Sequence, residues 1–145
     1  MTISAKLQES FKIAIALAIT LLFKHYNFTF APGDLTTFAT AVAGSAGTIL
    51  GFVITAIALM ASVMDRDLLK NLRATGGYKK LISGSFVCAA LHLLLLSIAL
   101  SLLLPWSGDK MTILLAVVFV GSLCAVNLAT TGLGFYRVIM SISRS

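Results

Sequence analysis

Charge is what this chain has least of. Only 11% of its 145 residues are Asp, Glu, Lys or Arg, against about a quarter in a soluble domain. Hydrophobic residues make up 59% and fall in blocks rather than amphipathic stripes. A single small soluble domain cannot hide so many Leu, Ile and Ala, so a soluble helical core is excluded. Cysteine is nearly as scarce: Cys88 and Cys124 both lie inside apolar runs. They cannot make the disulfide framework of a small secreted domain, and they read as reduced, buried side chains. An internal repeat with broken helices is also lacking, which argues against a secondary transporter. A Cys–His nucleophile needs a substrate route and an oxyanion site, and neither is visible, so no enzymatic activity is expected. Cys88, His92 and Cys124 are a conceivable ligand set, but they have no charged second shell, so neither a metal nor another cofactor is expected.

What is present is a set of four apolar runs, organised around the stretch from Ala39 to Lys80. No charge interrupts it before Asp65, and its length exceeds the roughly 20 residues a helix needs to cross a bilayer core. Within it Ala39, Ala43, Gly47, Gly51 and Thr55 recur at every fourth position. Such a face lets a second helix backbone approach closely in lipid, where association depends on packing. Ala43, Gly47 and Gly51 are therefore the expected helix-packing residues. The run then gives way to a basic connector, Asp65 to Lys80, carrying Arg66, Lys70, Arg73, Lys79 and Lys80.

Taken in order, the first transmembrane helix is expected over Phe11–Phe30, with Lys24 snorkelling outward and Tyr26, Phe28 and Phe30 as an interfacial aromatic anchor. Its charged start and short apolar stretch also resemble a secretory signal, with Thr29-Phe30-Ala31 as a passable cleavage site. Pro32-Gly33-Asp34 marks a turn. The second helix is expected over Phe38–Met64. It continues as an amphipathic turn or two in which Leu68, Leu69 and Leu72 alternate with basic residues, up to a stop at Gly76-Gly77. The third is expected over Leu81–Leu104, closed by Pro105 and Trp106, and the fourth over Thr112–Tyr136. The fold class is thus all-α: one integral membrane domain over residues 1–145, a four-transmembrane-helix bundle.

The charge bias orients it. With both termini cytoplasmic, the inner side holds Lys6, Lys12, Arg66, Lys70, Arg73, Lys79, Lys80, Arg137 and Arg144, and the outer side only Lys24 and Lys110. The positive-inside rule selects that topology. The net charge of +6 is accounted for by this signal and by attraction to anionic lipid, without nucleic acid as a partner.

His92 falls near the centre of the third run, where a titratable side chain is costly and points to a function. Helical spacing puts Ser85, Cys88, Ala89 and His92 on one face, and Cys124, Asn127, Thr131 and Gly134 form a comparable stripe on the fourth helix. Antiparallel helices bring His92 level with Cys124 and Cys88 level with Asn127, with Thr55 and Thr20 at similar height. Two readings stay open. His92 and Asn127 either hold the bundle in register by interhelical hydrogen bonds, or belong to an ion path. Thr48 and Thr55, on the small-residue face of the second helix, are candidates for the pore lining. Four helices cannot enclose an aqueous pore alone, so a pore requires a homo-oligomer.

Leu21-Leu22-Phe23-Lys24-His25-Tyr26 at the end of the first helix, Ala46-Gly47-Thr48 in the second, and Arg66, Leu69, Leu72-Arg73 and Gly77-Tyr78 beyond it resemble the RexB-like membrane subunits of the lambda phage Rex exclusion system. The matches are collinear from Leu21 to Leu104; past Pro105 only hydropathy is shared. The resemblance implies a four-span, multi-pass protein of the bacterial inner membrane, of phage or prophage origin. It would be an ion channel that depolarises the infected cell when a cytoplasmic RexA-like sensor triggers it. The ionisable position of the third helix, acidic in the lambda protein, is His92 here, so ion selectivity is not implied. The sensor, and anionic lipid, are expected on the basic connector. A non-conducting membrane anchor or adaptor and a holin-like lysis protein are the alternative functions.

Overall fold

Prolines at positions 32 and 105 alone leave the apolar runs between them free of a helix breaker. Away from water only a helix satisfies every backbone group of such a segment from within. The computed structural model describes residues 3–26, 28, 30–31, 33–62, 77–105 and 110–142. Among them it has no strand, and four helices: α1 (Ile3–His25), α2 (Asp34–Ser62), α3 (Gly77–Leu103) and α4 (Lys110–Ile142).

Among the described residues three helices are long and apolar enough to cross a membrane: Asp34–Ser62, Leu81–Leu103 and Lys110–Tyr136. The first helix differs. It begins at Ile3 rather than Phe11 and carries Lys6, Glu9, Lys12 and Lys24. Its uncharged stretch, Ile13–Phe23, extends only about 16 Å as helix, about half of a 30 Å hydrocarbon core. The boundaries shift elsewhere because hydropathy marks the apolar centre of a helix and not its caps. α2 starts at Asp34, whose carboxylate oxygen Oδ2 accepts from the Ala31 backbone N–H at 3.2 Å and suits the positive end of the helix dipole. Gly33 ahead of it has φ +102°, a backbone conformation that strains any residue with a Cβ. Gly77 opens α3, and the stretch before it, with the expected stop at Gly76, lies outside the described residues. The amphipathic continuation expected at Leu68–Leu72 and the residues Arg66, Lys70 and Arg73 lie outside the described residues.

Packing follows a repeat of three and four. On α3 the buried positions are Ser85, Cys88, His92, Leu95, Ala99 and Leu102, a heptad seam. α4 answers with Leu114, Val117, Val120, Cys124 and Asn127, α2 with Ala39, Ala43 and Ala46, and α1 with Lys12 and Ala16. The extensive helix pairings are α2 with α3, α3 with α4, and α4 with α1. A Cβ built on Gly84 would lie 4.0 Å from Thr131 Oγ1, and one on Gly121 3.8 Å from Leu95 Cδ1. These contacts set the antiparallel register of α3 against α4. Ala46, Leu95, Val117, Val120 and Cys124 form one core cluster. Ala39, Leu102 and Leu114 form a second, against which Phe23, Phe30 and Phe38 pack. The segment after α1 is folded back onto this second cluster: Phe23 stacks on Phe28 at 5.0 Å, and Phe30 lies 6.0 Å from Phe38. The end of α1, the start of α2, the end of α3 and the start of α4 therefore meet at one end of the bundle.

Candidate functional site

Of the described charged side chains, Lys12 is the one that is buried. It points from α1 into α4, where its ammonium donates to Asn127 Oδ1 at 3.1 Å. A second donation goes to Glu9 Oε1 at 2.9 Å, one turn back on α1. Lys12 and Asn127 are 8% and 5% exposed, whereas the Glu9 side chain is 58% exposed. Burying an unpaired ammonium costs several kcal/mol, so the geometry depends on both acceptors. The stem of Lys12 precedes Ala16, which is fully buried. That small side chain lets α1 sit close to α4.

Asn127 links three helices. On α4 it faces Lys12 from α1, and the Cys88 thiol of α3 lies beside it. Its amide nitrogen Nδ2 is buried and has no hydrogen-bond partner among the described residues. Cys88 and Cys124 are free thiols, both buried in the α3–α4 seam. One turn along α3, His92 is 2% exposed, and its Nδ1 lies 2.8 Å from the Cys88 carbonyl and 3.7 Å from the Cys88 sulfur. A carbonyl at that distance can only accept, so Nδ1 carries the proton. Ser85, also buried, donates to the Leu81 carbonyl at 3.0 Å. Ser85 and His92 thus close on their own helix, and it is α1 that reaches across with a charge.

The residues singled out from the sequence separate into two surfaces. His92, Asn127 and Cys124 gather in the α3–α4 seam. Thr48 and Thr55 lie on the exposed face of α2, their hydroxyls donating to the Gly44 and Gly51 carbonyls at 2.9 Å. The two groups do not form one layer in a single chain. Of the packing residues, Ala43 is buried within the chain, but Gly47 and Gly51 have nothing within 4 Å of the position a Cβ would take. Close approach to α3 is made instead by the row Ala39, Ala43 and Ala46. Lys79 is exposed; Lys80 falls in α3, and its side chain is outside the described set. Among the described residues no three His, Cys, Asp or Glu side chains gather into a metal-binding group.

Lys12 was legible only as a flanking charge. Its partner is 115 positions away, and no local periodicity links the two. The local signals were Glu9 three residues before it and the row Lys12, Ala16, Thr20 at helical spacing. No protein-family model, curated protein or solved structure matches the chain.

Proposed function

We propose that this chain is a multi-pass protein of the bacterial inner membrane that passes ions across it, acting as the effector of a phage-exclusion system. The observation that carries the reading is the ammonium of Lys12, buried against Asn127 at the level of helices apolar enough to span a bilayer. Charge at that depth is expensive, and where it is kept it marks ion and substrate paths. The path runs beside α1. That helix has the shortest apolar stretch and a single extensive partner, α4, so it is the element that can move without dismantling the α2–α3–α4 core.

Copies meet on α2, where Thr40, Gly44, Thr48, Gly51 and Thr55 leave a small-residue face exposed. The RexB-like resemblance supplies the effector role and a cytoplasmic sensor as partner. The Lys and Arg bias supports cytoplasmic termini, and the antiparallel packing of α1 on α4 is compatible with both termini on one side. Flux is the test. Purified protein in liposomes, with and without its sensor, is expected to dissipate a potassium chloride gradient. Intact gradients in both cases refute conduction and leave a membrane adaptor.

A further inference from the structure

The contact between α1 and α4 holds more donors than it uses. A lysine ammonium has three N–H groups and a primary amide two. Lys12 directs one to Glu9 and one to Asn127 Oδ1. The ammonium fixes the amide's orientation, because a flipped Asn127 would set donor against donor. Nδ2, on the same planar amide as the oxygen that Lys12 holds, is buried and has no hydrogen-bond partner among the described residues. Beside it on α3 lies the Cys88 thiol, and Cys124 is one turn back on α4. Neither is a carboxylate. A thiol is a weak acceptor.

A cation beside an unpartnered amide nitrogen in an apolar bundle repels a metal cation and complements an acceptor that carries negative charge. Among the described residues Glu9 is the carboxylate that reaches Lys12. It belongs to the same helix, is more than half exposed, and can leave Lys12 by a change of rotamer.

We propose that Lys12 Nζ and Asn127 Nδ2 form a binding site for a small monovalent anion of the halide class, and that Glu9 holds the anion's place at rest. Placing this site on the ion path rests on the conduction reading above: the conducted ion is then an anion, and exchange of Glu9 for it opens the way. Rings of Lys and Arg serve anion pores in the same manner, by giving back in fixed charge and N–H groups what the ion loses in hydration.

The test separates the site from the channel. The full-length protein in detergent is titrated with potassium chloride against potassium gluconate at constant ionic strength, and its thermal midpoint is followed. Chloride at tenfold excess over its Kd is expected to raise the midpoint by about 3 °C. Lys12→Met should abolish the shift and Lys12→Arg retain it. Glu9→Gln should move the response to severalfold lower chloride. Asn127→Asp, which keeps the shape but places a carboxylate on Lys12, should abolish it too while the protein stays folded. A wild-type midpoint indifferent to chloride, or a shift that survives Lys12→Met, overturns the site whether or not the protein conducts. In planar bilayers with a potassium chloride gradient, the current should reverse on the chloride side of zero. Reversal on the potassium side overturns the anion as conducted species and leaves conduction standing. Chloride binding without any current keeps the site and refutes the channel.

Discussion

Replacing Lys12 by Met and Asn127 by Leu, singly and together, measures the buried polar contact that ties α1 to α4. The distance is 3.1 Å, and both residues are at least nine-tenths buried. A hydrogen bond to a charged group contributes about 1.5–3 kcal/mol in a folded protein, but interhelical bonds measured in a membrane average about 0.6 and reach about 1.7 kcal/mol. Burial on both sides favours the upper end of the membrane range. The competing bond to Glu9 at 2.9 Å lowers it, since Lys12 without Asn127 keeps one acceptor. The expected coupling is therefore about 1–1.5 kcal/mol, roughly a fivefold to tenfold change in the unfolding equilibrium.

Neither single variant is diagnostic. Lys12→Met removes a desolvated charge while stranding Asn127, and Asn127→Leu strands Lys12 in part while removing the unpaired Nδ2. In each the opposing terms are of similar size, and only the cycle isolates the pair. Reversible unfolding by dodecyl sulfate in mixed micelles, followed by far-ultraviolet circular dichroism, reads it. Repeating the cycle on a Glu9→Gln background should increase the coupling, because the ammonium then leans on Asn127 alone. A coupling below about 0.3 kcal/mol, within ordinary additivity, would refute the claim that this pair holds α1 on α4.

The remaining expectations test the other surfaces. Gly121→Ala places a Cβ 3.8 Å from Leu95 Cδ1, an ordinary contact, and removes a mid-helix glycine worth about 1 kcal/mol; its thermal midpoint should rise, and a fall would contradict the α3–α4 register. Ala46→Leu adds bulk to the core cluster of Leu95 and Val117 and should cost about 1–3 kcal/mol, seen as earlier unfolding in the same denaturant series. Gly51→Leu has free space around it, so it should leave the single chain as stable as before. It should also reduce energy transfer between differently labelled copies in vesicles; unchanged transfer would place the meeting of copies elsewhere. His92→Leu should cost less than about 1 kcal/mol, since the lost bond closes on its own helix, and ion flux should persist. Loss of flux with normal expression would return His92 to the path.

Much of the architecture follows from local properties of the chain. Whether a segment is helical and apolar depends on the residues within it, so α2, α3 and α4 could be placed from hydropathy and from Pro105 before any fold was known. The seam on α3 was equally accessible: Ser85, Cys88 and His92 share a face by helical arithmetic alone, and the opposing register follows once the helices are antiparallel. The status of α1 was not accessible in this way. Its bordering charges read as flanks of a span, and only the fold turns one of them, Lys12, inward to an asparagine on the last helix. That choice depends on a partner distant in sequence and on Ala16 being small enough to let the two helices close. The division of the polar residues into a buried cluster and an open α2 face was likewise decided by tertiary structure. Spacing tells which residues share a side of one helix, but the order in which helices pack decides which side is covered.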